Sequence, residues 1–199
     1  MFKIFKNKIS EWKEFKKNLR QTNKTKYLIY ESIETILFAL ILALIITRFI
    51  IQVSVVPTGS MIPTMIGGVE GHPNERLIVN KFIYKFKTPK RGDIVVFKSP
   101  HKDNKDWVKR CIGEPGEIIE IRKGVVFVNN KELVLVGVDV QRDRSDFGPV
   151  KVPVDSFFML GDNRPSSQDS RYFGFVGKSD LVGQSLFTIW PLNRMRWLR

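Results

Sequence analysis

The sequence contains few of the residues that build disulfides and metal sites. Its 199 residues include one cysteine, Cys111, and two histidines, His72 and His101. A single cysteine excludes an intramolecular disulfide and a zinc cluster made of cysteines, and two histidines argue against a histidine-rich metal site. No internal repeat or low-complexity tract is evident. We therefore expect any hydrolytic chemistry to work without a metal, and we expect no cofactor.

Acidic residues are scarce near the N-terminus, where the positive charge is concentrated. The chain has 33 Lys and Arg against 20 Asp and Glu, a formal net charge of +13. Residues 1–26 hold nine basic and two acidic side chains, and so contribute +7 of that total. Such a charge favours anionic partners, either nucleic acid or an acidic lipid surface.

Apolar residues within this basic segment recur at steps of three and four, which predicts an amphipathic helix. They are Phe2, Phe5, Ile9, Trp12, Phe15 and Leu19. Such a helix would lie on the anionic inner leaflet of a membrane, and a frayed basic tail is the simpler alternative. Nucleic acid is not expected as a partner, because the charge lies beside a candidate membrane anchor.

Residues Ile36–Ile46 form an unbroken run of eleven apolar residues, a length that also fits a buried helix or a secretory signal. In the wider window Ile33–Val56, 18 of 24 residues are apolar. A helix of that length would reach roughly 36 Å, enough to cross a bilayer core of about 30 Å. Arg48 would lie near the outer end, where its guanidinium can reach the headgroups. A span is favoured, and the preceding basic residues would place the N-terminus in the cytoplasm.

Beyond Val56 the sequence changes to short β-rich runs separated by Gly, Pro and Asn turns. The predicted strands are Arg76–Asn80, Asp93–Phe97, Ile118–Ile121, Val125–Val128 and Val134–Val136. The pair Asn129-Asn130 after Val128 indicates a two-residue hairpin. The pattern predicts an antiparallel, mostly β exterior domain.

Two residues stand out as chemically useful. Ser60 lies on a Pro- and Gly-containing turn, where its hydroxyl could point outward with its own N–H nearby, although an ordinary surface turn is the commoner case. Residues 107–112, taken as a strand, place Trp107, Lys109 and Cys111 on one face and Arg110 on the other. If the Lys109 face is inward, desolvation lowers the lysine pKa toward that of a general base; a solvated lysine is the alternative.

Residues 161–174 combine small turn formers with two acids, two arginines and three serines. Asp169 and Arg171 can pair as a fork, and the free hydroxyls can orient a neighbouring group. The density of such groups favours a loop that holds a site in shape, with an ordinary structural loop as the alternative.

These stretches together resemble the type I signal peptidases, membrane-bound serine proteases that use a Ser-Lys pair. Residues 56–64 (VPTGSMIPT) are similar to the nucleophile box of the family, residues 109–116 (KRCIGEPG) to its lysine box, and residues 161–171 (GDNRPSSQDSR) to its GDN-R-x-x-S-x-D-S-R box. Residues 91–97 are similar to a further family strand. The boxes follow in family order over most of residues 30–195.

The resemblance implies a role for each matched residue. Ser60 would be the nucleophile and Lys109 the neutral base, a pairing that their separation of 49 residues could not establish. Thr58, which replaces a commoner serine, would form the oxyanion hole with the Ser60 N–H. The supporting residues would be Ser167, which orients the lysine, and the ion pair of Asp169 with Arg171. The substrate pockets would be lined by Val56, Met61, Trp107 and Val108.

The function implied is that of a membrane-anchored serine endopeptidase that removes N-terminal signal peptides from exported preproteins, cutting after small residues through an acyl-enzyme. The fold expected is mostly β: an antiparallel β-sheet catalytic domain with a small β subdomain, preceded by an N-terminal transmembrane helix. The expected ranges are 1–29 for a basic amphipathic cytoplasmic segment, 30–53 for the transmembrane helix and 54–199 for the exterior domain, with the subdomain at about 113–156.

Preprotein signal peptides, the phospholipid bilayer and nearby secretion machinery are the expected partners. The expected location is the cell membrane, with a single pass and the catalytic domain on the extracytoplasmic side. One alternative is a membrane-anchored, non-catalytic β-domain that binds a partner through Arg91-Gly92-Asp93, although these residues also suit a turn before a strand. A soluble self-cleaving Ser-Lys repressor is disfavoured, because no helix-turn-helix pattern is evident and Ile36–Ile46 argues against solubility.

Overall fold

The computed structural model describes residues 2–101, 103 and 105–198, without the side chains of residues 2–7 and 9. The chain divides into two compact units between Arg48 and Phe49. The first unit is helical and the second is built from β-strands. This confirms the predicted mostly β architecture with an apolar helix before it.

The first unit is a pair of helices, α1 (Phe2–Thr22) and α2 (Lys24–Ile45). They are separated by Asn23, whose side chain accepts a hydrogen bond from the Lys26 N–H and so caps α2. The helix predicted from the apolar period of three and four is confirmed, although the side chains of Phe2, Phe5 and Ile9 lie outside the described residues. An ion pair between Lys16 and Glu34 joins α1 to α2.

The helical conformation continues from α2 through a π-helical turn at Ile46–Ile50. The combined stretch Lys24–Ile50 is long and apolar enough to cross a membrane, and none of its most apolar part is buried inside the protein. It ends three residues before the predicted limit at residue 53. The reason is that residues 51–55 pair with residues 76–80 as extended backbone.

The second unit contains two antiparallel sheets. Within the described residues, the larger sheet has eight strands: β1 (Ile51–Val55), β2 (Arg76–Asn80), β3 (Ile94–Lys98), β4 (Asp106–Gly113), β9 (Ser156–Leu160), β10 (Val176–Gly177), β11 (Leu181–Trp190) and β12 (Arg196–Trp197). Seven of them follow the order β1-β2-β11-β3-β4-β9-β10, and β12 pairs with β11. The interior strand β4 is buried from Val108 to Gly113, because it has neighbours on both sides.

The smaller sheet has the order β7-β6-β5-β8, formed by β5 (Ile118–Arg122), β6 (Val125–Val128), β7 (Lys131–Glu132) and β8 (Phe147–Lys151). Asn129 and Asn130 have φ values of 49° and 63°, as the predicted two-residue hairpin turn requires. The prediction of a strand at Val134–Val136 is wrong. The two-residue turn at Asn129-Asn130 pairs Lys131 directly with Val128, so the strand that pairs with β6 is β7, which ends before residue 134.

Three buried clusters hold the second unit together. One lies against β2 and β3, and includes Val56, Met61, Leu77 and Val108. The second joins the two sheets through Ile112, Ile119 and Phe158. The third packs Phe97, Cys111 and Phe157 on the other face of the large sheet. Because β4 contributes to all three clusters, any side chain on this strand is held in a rigid setting.

Candidate active site

Ser60 lies on a single 3₁₀ turn, Gly59–Met61, that follows β1. The turn is fixed from the opposite side by Asn163, whose side-chain amide donates to the Gly59 carbonyl at 3.0 Å. The Asn163 backbone N–H donates to the Ser60 carbonyl at 3.1 Å. The backbone that carries the Ser60 side chain is therefore held in place, and only 6% of the residue is exposed.

Lys109 lies in the middle of β4, opposite Val95 of β3. Its ammonium nitrogen is 2.6 Å from the Ser60 hydroxyl oxygen, although the residues are 49 positions apart in the chain. The nitrogen also lies 5.7 Å from the centre of the Trp107 ring, as the predicted shared face requires. Lys109 is 4% exposed, so the structure brings both residues together in a nearly dry setting.

The surroundings of Lys109 change its acidity. Burial lowers its pKa to about 8, and the negative charges of Asp169 and Asp162 only partly oppose this. A lysine with such a pKa is neutral in about one molecule in ten at pH 7, far more often than an ordinary lysine. In the ammonium form, Nζ donates to the Ser60 oxygen; in the neutral form, it can accept the serine proton across the same 2.6 Å.

Thr58 lies directly before the turn that carries Ser60. Its hydroxyl donates to the Ser60 oxygen at 3.3 Å, so it lies beside the group that would attack a substrate carbonyl. A hydroxyl is one of the donors that can stabilise a developing oxyanion. Thr58 is β-branched, which restricts its side-chain rotation and keeps its hydroxyl near Ser60.

Ser167 lies beside the same turn, against Gly161. A β-carbon placed on Gly161 would be 2.2 Å from the Ser167 hydroxyl oxygen and 2.4 Å from the Ser60 carbonyl, so only glycine fits there. Among the described residues, the buried Ser167 hydroxyl has no hydrogen-bond partner, and none is formed with Lys109. The structure thus places Ser167 next to the pair, without the predicted contact to the lysine.

Asp169 and Arg171 form the fork that their spacing suggests. Arg171 donates through Nε and Nη2 to the two carboxylate oxygens of Asp169, at 2.8 and 2.9 Å. Arg171 also pairs with Asp143 and donates to the Arg164 carbonyl. Asp169 in turn accepts the Gly161 N–H at 3.2 Å. The fork therefore supports the glycine that packs against Ser60.

Sequence reasoning missed a second buried ion pair, between Arg110 and Asp162. Arg110 donates to both carboxylate oxygens, at 2.8 and 2.6 Å, and neither side chain is more than 1% exposed. Thr64 donates to the same carboxylate at 2.5 Å. Asp162 precedes Asn163, so the pair links the strand of Lys109 to the loop that holds Ser60. The sequence contained one indication of this pair: the alternation of side chains along the strand places Arg110 on the opposite face from Lys109.

A cleft of about 820 Å³ leads to Ser60 and Lys109. Its walls come from residues 52–58 on one side and from residues 105–109 on the other, including Val56, Trp107 and Val108 of the predicted pocket residues. Met61 does not line the cleft, because its side chain is fully buried in the core beneath the turn. Within the described residues, no group of His, Cys, Asp and Glu is arranged to hold a metal ion.

Comparison with known proteins gives one family. The sequence profile of the family described as "Signal peptidase, peptidase S26" matches residues 29–190. A signal peptidase I from Leptolyngbya laminosa is 38% identical over 175 residues, covering 84% of this chain and 82% of the relative. The signal peptidase I T of Bacillus subtilis strain 168 is 35% identical over 190 residues, covering 90% and 95%.

A solved structure is also similar, a signal peptidase I from Enterococcus faecalis V583. It is 36% identical, with a TM-score of 0.43, and covers 49% of this chain and 97% of its own. The extent of the profile match and the identities to the two sequence relatives decide the assignment. The chain, a serine peptidase, belongs to the signal peptidase I family, peptidase S26.

Proposed function

We propose that the protein is a membrane-anchored signal peptidase that removes signal peptides from exported preproteins by means of a Ser60–Lys109 pair. The observation that carries the proposal is the 2.6 Å separation between Lys109 Nζ and Ser60 Oγ at the wall of a cleft. Such a contact between a hydroxyl and a buried amine is the arrangement that activates a serine nucleophile.

The chemistry follows from this contact. Neutral Lys109 takes the Ser60 proton while Oγ attacks the peptide carbonyl carbon, and the carbonyl π electrons move to the oxygen. The Thr58 hydroxyl and the Ser60 N–H stabilise that oxyanion. The intermediate collapses with cleavage of the C–N bond, and Lys109 gives its proton to the leaving amine. Lys109 next deprotonates a water molecule, whose oxygen attacks the acyl carbon. The ester bond to Ser60 Oγ then breaks, the signal peptide leaves with a new carboxyl group, and Lys109 returns the proton to Ser60.

The cleft suits an extended peptide. In the described sheet, β1 is the terminal strand, so an edge of its backbone is available to pair with an added strand. Val56 and Val108 bring apolar side chains to the floor near Ser60, and Trp107 adds a ring behind Lys109. Shallow apolar pockets of this kind favour small side chains on the substrate, as at the end of a secretory signal peptide.

The membrane topology is part of the same proposal. Lys24–Ile50 would cross the bilayer, with the basic α1 on the cytoplasmic face and both sheets on the extracytoplasmic side. The segments expected at 1–29, 30–53 and 54–199 keep their proposed order and roles, but the span itself is Lys24–Ile50, because residues 51–53 belong to β1; the smaller sheet is the subdomain. This orientation would bring the cleft to preproteins as they leave the secretion machinery.

The alternative of a non-catalytic binding domain receives no support from its own motif. Arg91 pairs with Glu117, and Asp93 accepts hydrogen bonds from the Lys90 N–H and the Gln184 amide. The charged groups of the Arg91-Gly92-Asp93 tripeptide therefore stabilise the turn before β3 through contacts within the protein.

Two single substitutions test the proposed pair. Ser60→Ala and Lys109→Ala should each reduce cleavage of a labelled preprotein by the detergent-solubilised protein by about 10⁴-fold or more. Ser179→Ala and Lys151→Ala are matched controls and should retain normal turnover. A serine-directed acylating probe should label the wild type and not Ser60→Ala. Near-normal turnover by either variant of the pair would falsify the proposal.

A further inference from the structure

A second groove, of about 390 Å³, lies where the smaller sheet meets the loop that holds Ser60. Its walls come from residues 124 and 126, from the segment 133–142 that follows β7, and from Arg164. We use the name arginine groove for this space. It shares no wall residue with the cleft that leads to Ser60 and Lys109. Its volume falls at the lower end of the roughly 300–1,000 Å³ that small-molecule sites occupy.

Arg164 brings a buried positive charge to the wall of the arginine groove. The residue is 5% exposed, and its Nε donates to the Gly161 carbonyl at 2.9 Å. Within the described ranges, its two Nη groups form neither a hydrogen bond nor an ion pair. Burial lowers the pKa of Arg164 to about 10, and the charges of Asp162 and Asp169 only partly oppose this. A buried guanidinium is normally paired, because burying an uncompensated charge costs free energy.

The acidic residues nearest in the chain to Arg164 are already bound to other arginines. Asp162 is held by both prongs of Arg110. Asp169 is held in the same way by Arg171. Arg164 therefore has no carboxylate in direct contact among the residues that the structure describes, and the arginine groove is the space from which a counter-charge can reach it.

The backbone places a second arginine beside Arg164. Gln141 and Asn163 form a parallel bridge, in which the Gln141 N–H donates to the Asp162 carbonyl and the Gln141 carbonyl accepts the Arg164 N–H, both at 2.9 Å. Arg142 follows Gln141 just as Arg164 follows Asn163, and paired segments lie about 5 Å apart. Both arginines line the groove. Arg142 is exposed and forms no ion pair in the described part of the chain, so two like charges lie side by side.

We propose that the arginine groove binds a small oxyanion, a carboxylate or a phosphate, between the guanidinium groups of Arg142 and Arg164. Guanidinium forks match the oxygens of both groups in two-pronged hydrogen bonds. Of the described residues in the walls, Asp139 is the one acid against two arginines, so the groove keeps a net positive charge. Leu133 and Leu135 add apolar walls, which favours a carboxylate on a short aliphatic body over inorganic phosphate.

Binding in the arginine groove acts on the loop that positions Ser60. Arg164 holds the Gly161 carbonyl, and its neighbour Asn163 holds the turn that carries Ser60. An oxyanion on the Nη groups supplies the hydrogen bonds that this buried side chain lacks, so it stabilises the loop without entering the cleft. A ligand that binds the folded protein alone raises its unfolding temperature in proportion to its occupancy.

Titration of the full-length, detergent-solubilised protein with isovalerate tests the site. At constant ionic strength, isovalerate should raise the unfolding midpoint by about 3 °C or more, and the rise should saturate. Saturation transfer from the protein to the isovalerate methyl protons should saturate over the same concentrations. Isovaleramide has the same shape but no charge, and should produce neither effect. A parallel titration with inorganic phosphate distinguishes the two oxyanions: tighter binding of phosphate would assign the groove to phosphate groups.

Single substitutions locate the binding. Arg142→Gln removes an exposed guanidinium from the groove and should weaken isovalerate binding about tenfold or more. Arg144→Gln is the matched control, because Arg144 is also exposed but does not line the groove, and it should retain the wild-type affinity. Arg164→Lys keeps the buried charge but loses the fork, and should weaken binding by a similar factor.

Three results would overturn the oxyanion site. They are the absence of a saturable response to both isovalerate and phosphate, an equal response to isovaleramide, and an affinity that Arg142→Gln does not change. None of these measurements involves preprotein cleavage, so the site and the proposed Ser60–Lys109 pair stand or fall separately. Oxyanion binding by a protein that cleaves no preprotein would leave the groove assigned, and cleavage without binding would remove the groove alone.

Discussion

Arg110 and Asp162 form a fully buried, two-pronged ion pair, 52 residues apart in the chain, that ties the strand of Lys109 to the loop that holds Ser60. Arg110 also donates to the Gly92 carbonyl at 2.7 Å, so its guanidinium reaches a third segment. By joining these segments in the protein interior, the ion pair fixes the distance between the side chains of Lys109 and Ser60. It also keeps two charges in the interior, where each depends on the other.

Replacing Asp162 by Asn should therefore be strongly destabilising. The substitution preserves the shape of the side chain but leaves the Arg110 charge buried without compensation, which typically costs about 3–5 kcal/mol of unfolding free energy. Denaturant unfolding in detergent measures the loss. Glu120→Gln removes one partner of an exposed pair with Arg122 and should leave the unfolding midpoint almost unchanged. Equal midpoints for the two variants would contradict the structural role given to the buried pair.

The buried charge of Lys109 should lower the free energy of unfolding of the protein. Its folded-state pKa is about 8, below the ordinary 10.5, so the folded protein holds its proton less tightly than the unfolded chain does. At about 1.4 kcal/mol per pKa unit, the cost at pH 7 is about 3 kcal/mol. Lys109→Met should then be inactive but more stable than the wild type by up to that amount, as measured by unfolding in detergent.

The pH dependence of this gain gives a stringent check. Below pH 8 both states of the wild type hold the lysine proton and the cost is present in full. Between pH 8 and 10.5 only the unfolded state holds it, so wild-type stability rises and the advantage of Lys109→Met shrinks. The exposed control Lys151→Met should show no such trend. A Lys109→Met protein less stable than the wild type at pH 7 would refute the account.

Activity should follow the same titration. Because only neutral Lys109 can accept the Ser60 proton, kcat/KM should rise about tenfold per pH unit below pH 8 and level off above it. Preprotein cleavage measured from pH 6 to pH 10 tests this. A profile that is flat across pH 8 would show that some other group is the base.

The sequence predicted the local elements well and the long-range pairs poorly. Strands β2 and β6 begin and end where the short β-rich runs between turn residues place them. The period of two along residues 107–112 correctly placed Lys109 and Trp107 on one face. Val134–Val136 shows its limit: an apolar run without a pairing partner does not form a strand.

The pairing of Ser60 with Lys109 came from the family resemblance, because no local period relates residues 49 positions apart. The pair of Arg110 and Asp162 was missed for the same reason, since each residue alone reads as a surface charge. The family resemblance placed Met61 in the substrate cleft. The 3₁₀ turn instead directs its side chain into the core, a change of direction that sequence spacing cannot show.

The hydroxyl of Thr58 should be needed for the rate and not for substrate binding. Thr58→Val keeps the β-branched shape but removes the donor that lies 3.3 Å from Ser60 Oγ. Loss of one oxyanion donor typically lowers kcat by about 10²–10³-fold, with KM little changed because the ground-state carbonyl carries less charge. Thr58→Ser restores the hydroxyl on a less restricted side chain and should recover most of kcat. A Thr58→Val enzyme with normal kcat, or one whose defect Thr58→Ser shares in full, would remove Thr58 from the oxyanion hole.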